Sequence, residues 1–250
     1  MFNTMSDKKI VVVGANGLLG KSIVDELLAH SCEVIATDIR TDNLEKIYSS
    51  NKRVTIYELD ICSEAAISKF FASLGVIHGA VNSSYPRNKS YGDHFFDVTI
   101  DNFNENVSLN LGSSFCFSKH CALHFLKYKH DFSLVNVASV YGVIAPKFDI
   151  YEKTTMSTPV EYAAIKSALI HLSKYISSYV NDSRFRVNTV SPGGIIDDQN
   201  PIFVENYRNN THGKGMLDPS DIVGAILFLL SEQSKFIVGQ NLIVDDGFTL

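Results

Sequence analysis

Cysteine is scarce in this sequence, with four residues in a chain of 250. The four cysteines have neither metal-binding spacing nor the density of a disulfide-stapled secreted domain, so a reducing compartment, the cytoplasm, is expected. A signal peptide is not predicted, because residues 1–7 lack a basic region followed by an apolar one. No apolar run approaches the roughly 20 residues that a membrane-spanning helix needs, which predicts that no membrane is a partner.

Excess positive charge is also missing, since the formal net charge is −5 at pH 7. No basic surface for nucleic acid or an anionic membrane is therefore indicated. His120 and His124 have a spacing that can bind metal on a helix, but no third ligand accompanies them. We expect them to form a surface or subunit contact, and no metal site. Repeats and linkers are absent, so we predict one domain over residues 1–250.

Short β-branched runs alternate with helical patterns along the chain. Residues 9–13 form a run that is dense enough for a strand buried on both faces. We predict six further strands, at residues 33–37, 53–59, 76–81, 132–137, 184–190 and 236–244. After a helix that follows the first strand, predicted helices cover residues 65–74, 101–129, 159–180 and 222–230. The alternation favours an α/β Rossmann fold, a doubly wound parallel sheet of seven strands with helices on both faces.

A glycine-rich turn follows the first predicted strand and precedes a helix. Glycines in such a turn allow the backbone to approach a pyrophosphate, although a glycine triplet can also be only a tight turn. Asp38 ends the second strand, where a carboxylate can accept both ribose hydroxyls and repel a 2′-phosphate. We therefore predict NAD rather than NADP, with Arg40 as the residue that leaves the choice open. The expected cofactor contacts here are Gly14, Asn16, Gly17, Leu18, Leu19, Gly20, Asp38 and Ile39.

Polar residues end the third and fourth strands, where ligands bind in open parallel sheets. Asp60 and Ile61 follow the third strand, and Asn82 and Ser83 follow the fourth. All four are expected cofactor contacts, although Asp60 and Asn82 could simply cap the turns that follow.

The segment 158–167 carries the strongest chemical signal. Thr158, Pro159 and Glu161 form a helix start, with a hydroxyl cap, a proline in the first position and an early acid. Tyr162 and Lys166 are then four residues apart, which places both side chains on one helix face. An ammonium beside a phenol stabilises the phenolate. The spacing is common, however, and alone it proves no chemistry.

Together these motifs resemble those of the short-chain dehydrogenase/reductase family in its single-domain form. Asn110, Ser139, Tyr162 and Lys166 occur in the family's order on the predicted elements. The resemblance implies that Tyr162 is the general acid/base, that Lys166 lowers the pKa of the phenol and binds the nicotinamide ribose, and that Ser139 polarises the substrate carbonyl. Asn110 would hold a water linked to the lysine.

The resemblance also assigns cofactor contacts. Asp60 would contact adenine, Asn82 would brace the turn beneath the cofactor, and Tyr162 and Lys166 would lie beside its ribose. The expected nicotinamide contacts are Pro192, Gly193 and Ile195. Helices 101–129 and 159–180 imply a homodimer or homotetramer.

Several departures from the family pattern concern loops around the expected site. Leu18 stands where the short form has its middle glycine, and Ser83-Ser84-Tyr85 replaces Asn-Ala-Gly. Ser139 and Tyr162 are 23 residues apart (162 − 139), further than is usual. Asp197 replaces the usual threonine. We predict substrate loops at about residues 83–100, 143–158 and 195–217, the last with a mobile lid at 197–215.

The function implied is an NAD-dependent oxidoreductase for alcohols and ketones. The polar insert between Ser139 and Tyr162 favours a sugar-like substrate over an apolar one. The motif from Ser83 to Asn88 also resembles the flagellin-modification and surface-sugar branch of the family, which suggests surface glycan or nonulosonic acid precursors. The alternatives are a 3-oxoacyl-carrier-protein reductase, a sugar-nucleotide epimerase or dehydratase, and a non-catalytic NAD-binding scaffold.

Overall fold

The computed structural model describes residues 5–250. Residues 1–4, on which the signal-peptide prediction and the start of the predicted domain partly rest, lie outside this range. Seven parallel strands form one sheet in the order β3-β2-β1-β4-β5-β6-β7, which confirms the predicted fold. The strands are β1 Lys9–Val13, β2 Glu33–Asp38, β3 Val54–Glu58, β4 Gly79–Asn82, β5 Phe132–Val137, β6 Phe185–Pro192 and β7 Asn241–Val244.

Helices cover both faces of the sheet. They are α1 Leu18–Ala29, α2 Asp42–Tyr48, α3 Glu64–Ser73, α4 Ile100–Val107, α5 Ser113–Tyr128, α6 Val160–Val180, α7 Pro201–Arg208 and α8 Pro219–Leu230. A hydrophobic core lies on each face of the sheet, and alternate residues of β1 contribute to one core or the other. Ile10 and Val12 pack with α1 and α8, whereas Val11 and Val13 pack with α3, α5 and α6. No helix in the described residues is long and apolar enough to span a membrane.

The parallel register brings the carboxyl ends of the strands to one edge. Val13 is the register partner of both Thr37 and Asn82. Asn82 pairs in turn with Asn136 of β5. The residues that follow these strands therefore converge on one crevice, as the sequence predicts.

Several predicted elements differ from the structure. The helix predicted over 101–129 is α4 and α5 joined by a π-helical turn, Ser108–Gly112. The last strand is confined to Asn241–Val244, because the chain turns at Gly239, where φ is +67°, before it can join the sheet. Two helices were not predicted, namely α2 and α7, and α7 lies within the segment predicted as a mobile lid.

The glycine turn packs tightly against the start of α1. A Cβ atom at Gly20 would lie 2.0 Å from the Gly14 carbonyl oxygen. Gly14 itself has a φ of +77°, and a Cβ there would approach Ser84 N to 2.9 Å. These two positions need glycine because the strand, the turn and the helix leave no room for a side chain.

We predict that Gly20→Ala lowers the free energy of unfolding by about 1–3 kcal/mol, because the methyl group must displace backbone atoms. Gly224→Ala is the matched control, since Gly224 is also helical and has nothing within 4 Å of an added Cβ. The control should be neutral or more stable by up to about 1 kcal/mol. Urea denaturation of both variants measures the difference, and equal stability would contradict the packing described.

Candidate active site

Two neighbouring cavities open at the carboxyl edge of the sheet. The larger, about 460 Å³, lies between the glycine turn, the end of β5, the start of α6 and the residues after β6. The smaller, about 230 Å³, lies beside the ends of β2 and β3. Ser84 and Tyr85 line both cavities, so one elongated ligand can occupy the two together.

The turn before α1 has the features of a pyrophosphate cradle. Gly17 is the residue before the helix, and no side chain caps the helix there. The first N–H groups of α1 are therefore available to an anion. Leu18 and Leu19 line the larger cavity. The side-chain oxygen of Asn16 is buried without a hydrogen-bond partner. Since buried polar atoms are normally hydrogen-bonded, this oxygen fits a ligand contact.

Asp38 is held in place at the end of β2. Its carboxylate accepts the Asn16 backbone N–H at 3.0 Å and the Arg40 backbone N–H at 3.2 Å. Asp38, Ile39, Asp60 and Ile61 all line the smaller cavity. A carboxylate with lone pairs to spare beside apolar side chains fits the adenosine half of a dinucleotide.

Asn82 and Ser83 brace the crevice from below. The Asn82 amide oxygen accepts the Ser84 hydroxyl at 2.6 Å, and its nitrogen donates to the Ser114 hydroxyl at 3.2 Å. The Ser83 hydroxyl donates to the Val13 carbonyl at 2.7 Å. These bonds tie the loop after β4 to β1 and α5.

Ser139, Tyr162 and Lys166 converge in the larger cavity. The Lys166 Nζ atom lies 5.7 Å from the centre of the Tyr162 ring and donates to the Val137 carbonyl at 2.9 Å. Ser139 follows β5, and its hydroxyl accepts the Tyr141 backbone N–H at 3.2 Å. Ser139 therefore both caps a turn and lines the cavity.

Burial controls the titration of this pair. It raises the pKa of the Tyr162 phenol, and a hydrogen bond from Ser139 acts in the opposite direction. Burial also lowers the pKa of Lys166 to about 8. The effect that lowers the phenol pKa comes from Ser139 and not, as the family resemblance implied, from Lys166, and burial outweighs it.

Asn110, unlike Ser139, Tyr162 and Lys166, lines neither cavity. It is buried in the π-helical turn, and its amide nitrogen lies 3.5 Å from the Pro86 carbonyl oxygen.

The end of β6 and the residues after it form one wall of the larger cavity, which contains Pro192, Gly193 and Ile195. Tyr207 of α7 fixes this wall, because its hydroxyl accepts the Gly194 backbone N–H at 2.6 Å. Its ring stacks on Phe248 with centroids 4.4 Å apart. Sequence reasoning missed Tyr207. The signal was the Asn200-Pro201 pair, in which the Asn200 side chain caps α7 by accepting the Ile202 N–H at 2.8 Å.

The long connection between Ser139 and Tyr162 reaches the same cavity. Tyr151, Met156 and Ser157 line it. The predicted cap at Thr158 is wrong. The residue before α6 is Pro159, with extended backbone, so Thr158 lies one position too early, and no side chain caps the helix.

The expectation for His124 is also wrong. It is buried, and its ring nitrogen accepts the Ile77 backbone N–H at 3.3 Å. Burial lowers the pKa of His124 to about 4, so it is a neutral core residue.

Comparison with known proteins agrees with this geometry. Residues 14–249 match the family model described as enoyl-(acyl carrier protein) reductase. The flagellin modification protein A of Campylobacter coli is 37% identical over 98% of this chain and 100% of its own length. A short-chain dehydrogenase of Leptospira borgpetersenii with bound NAD⁺ superposes with a TM-score of 0.89 at 31% identity, covering 98% of this chain and 94% of that one. A 4-hydroxyisoleucine dehydrogenase complexed with NADH gives 0.85 at 27% identity, covering 97% and 99%.

We predict that Tyr207→Phe costs about 1–2 kcal/mol of unfolding free energy, because the Gly194 N–H then loses its partner. Tyr175→Phe, which removes an exposed hydroxyl from α6, is the control and should change little. Chemical denaturation tests both. A Tyr207→Phe protein as stable as the control would show that the bond does not hold the wall.

Proposed function

The chain belongs to the short-chain dehydrogenase/reductase family, and we propose that it transfers a hydride between NAD and a polar, sugar-like alcohol or ketone. That it is an oxidoreductase follows from the family. The observation that carries the proposal is the meeting of Ser139, Tyr162 and Lys166 in a cavity that continues to the glycine turn.

In the proposed mechanism the protein moves a proton and stabilises charge. The Tyr162 hydroxyl gives its proton to the substrate oxygen during reduction and takes it back during oxidation. The Ser139 hydroxyl donates a hydrogen bond to the same oxygen as negative charge develops on it. Bound NAD would supply the hydride chemistry. The Lys166 ammonium stabilises the phenolate that remains after proton transfer.

Asn110 has a positioning role in this proposal. A π-helical turn at a buried asparagine interrupts the regular helix, as such turns do at functional sites. We assign it the water that links Lys166 to solvent.

The proposed cofactor contacts run along both cavities. The Asp38 carboxylate would accept the adenosine ribose hydroxyls, and its charge would repel the 2′-phosphate of NADP. Asp60 and Ile61 would lie against adenine. Gly14, Asn16, Gly17, Leu18, Leu19 and Gly20 would hold the pyrophosphate, Asn82 and Ser83 the floor, and Pro192, Gly193 and Ile195 the nicotinamide.

The larger cavity suits an uncharged, hydroxylated substrate. Among the described residues that line it, Lys166 is the one basic side chain and Asp197 the one acidic side chain. Tyrosine and serine hydroxyls supply most of the remaining polar atoms. With the flagellin-modification relative, this supports a role in precursors of bacterial surface glycans, including nonulosonic acids.

Two of the alternatives would give different experimental results. A 3-oxoacyl-carrier-protein reductase-like enzyme would prefer NADP and an acyl thioester. A non-catalytic scaffold would bind NAD and turn over nothing.

We further propose a cytoplasmic homodimer or homotetramer that uses α5 and α6, whose exposed apolar residues include Phe115, Leu123 and Tyr179.

We predict that Tyr162→Phe lowers kcat by at least about 100-fold, since the variant has no proton to transfer. NADH affinity, measured by fluorescence titration, should stay near the wild-type value. Tyr175→Phe on the same helix, which removes an exposed hydroxyl outside both cavities, is the control and should keep full turnover. The substrates are a panel of sugars and sugar nucleotides monitored by NADH absorbance. Undiminished turnover by Tyr162→Phe would refute the proposed mechanism.

Asp38→Asn should weaken NAD binding and tighten NADP binding, each by about tenfold, because the carboxylate charge is removed at the ribose site. Calorimetric titration with both dinucleotides measures the ratio of the NAD and NADP dissociation constants. Asp42→Asn, a nearby exposed change, should leave the ratio unaltered. If wild-type protein already prefers NADP, the assigned role of Asp38 is wrong.

A further inference from the structure

Tyr85 stands at the junction of the two cavities. It follows β4 by three residues and is 36% exposed, so it is not a core residue. Its ring contributes to the wall of each cavity.

The Tyr85 ring contacts both members of the proposed acid–base pair. It meets the Tyr162 ring edge to face, with centroids 5.6 Å apart and planes at 81°. The Lys166 Nζ atom lies 5.4 Å from the centre of the Tyr85 ring. An ammonium within about 6 Å of an aromatic face is attracted to it, most strongly where water is excluded.

Few other groups offset the cost of burying the Lys166 charge. The residue is 4% exposed, and its ammonium donates to the neutral Val137 carbonyl. No carboxylate among the described residues raises the pKa of Lys166, and burial alone accounts for its lowering. A buried cation without an ion-pair partner depends on the dipoles and rings around it.

The Tyr85 ring is itself held in position. Its hydroxyl is hydrogen-bonded to the Tyr91 hydroxyl, and the two rings meet at 87° with centroids 5.6 Å apart. The Arg87 guanidinium carbon lies 5.0 Å from the Tyr85 ring centre. The loop after β4 therefore fixes the orientation of the ring against Lys166.

We infer that Tyr85 is a positioning residue whose aromatic face keeps the Lys166 ammonium charged and directed beside Tyr162, where no carboxylate of the described residues pairs with that ammonium. The inference rests on the proposed function only for the roles of Tyr162 and Lys166. The contact lies within this chain and can be measured without turnover.

The other titratable groups around Lys166 belong to the elements that enclose it. Tyr162 lies on its own helix, and Tyr141 and Tyr151 lie on the connection between β5 and α6. The loop after β4 brings Tyr91 and Arg87 behind Tyr85. Glu161, which precedes Tyr162, is buried and accepts a hydrogen bond from Asn106 at 3.1 Å. None of these groups pairs with the ammonium directly, so the ring of Tyr85 is the feature to vary.

The test is a titration of Lys166 by NMR in protein labelled with ¹³C and ¹⁵N at lysine, with the signal assigned from Lys166→Met. Tyr85→Leu, which keeps an apolar side chain but removes the aromatic face, should lower the pKa of Lys166 by about one pH unit, a tenfold loss of the protonated form relative to the neutral one. Tyr85→Phe keeps the ring and should titrate as wild type does. Tyr85→Met serves as a second aliphatic variant where the leucine variant does not fold.

A Lys166 pKa that is unchanged or raised in the aliphatic variants would overturn the inference. In an active preparation, the alkaline limb of kcat/KM should move to lower pH by the same interval in Tyr85→Leu and not in Tyr85→Phe. Lack of turnover in wild-type protein would contradict the proposed function and leave the titration result standing, so the two failures are distinguishable.

Discussion

Burial of the Lys166 ammonium beside the Tyr162 phenol is the constraint on which the rest of the site depends. This burial arises because β4, β5 and β6 end at one edge of the parallel sheet and the start of α6 packs there. Burial makes the charged forms of both groups costly. Their neighbours, the Val137 carbonyl, the Ser139 hydroxyl and the Tyr85 ring, are the groups that offset this cost.

The fold and most of the site could be predicted because their signals are local in the sequence. A run such as residues 10–13 indicates a buried strand wherever it occurs, and a glycine-rich turn between strand and helix has few other uses. The i,i+4 spacing of Tyr162 and Lys166 likewise needs only the helix that carries them. Parallel topology then brings Asp38, Asn82 and Ser139 to one crevice without further information.

The remaining features depend on contacts between distant segments. The π-helical turn at Asn110 arises where α4 and α5 pack on α6, and no local pattern distinguishes it from a regular helix. Tyr207 was missed because its partner, Gly194, lies on another element. Tyr85 appeared only as a departure in a loop, since its contacts with Tyr162 and Lys166 exist in three dimensions alone. Burial of His124 likewise follows from the packing of α5 against the end of the loop before β4.

A crystal structure of the chain grown with NADH would show where the dinucleotide binds. We expect one molecule to span both cavities, with its adenosine ribose at Asp38 and its nicotinamide facing the hydroxyls of Tyr162 and Ser139. A nicotinamide bound away from these two hydroxyls, or a dinucleotide bound elsewhere on the protein, would contradict it.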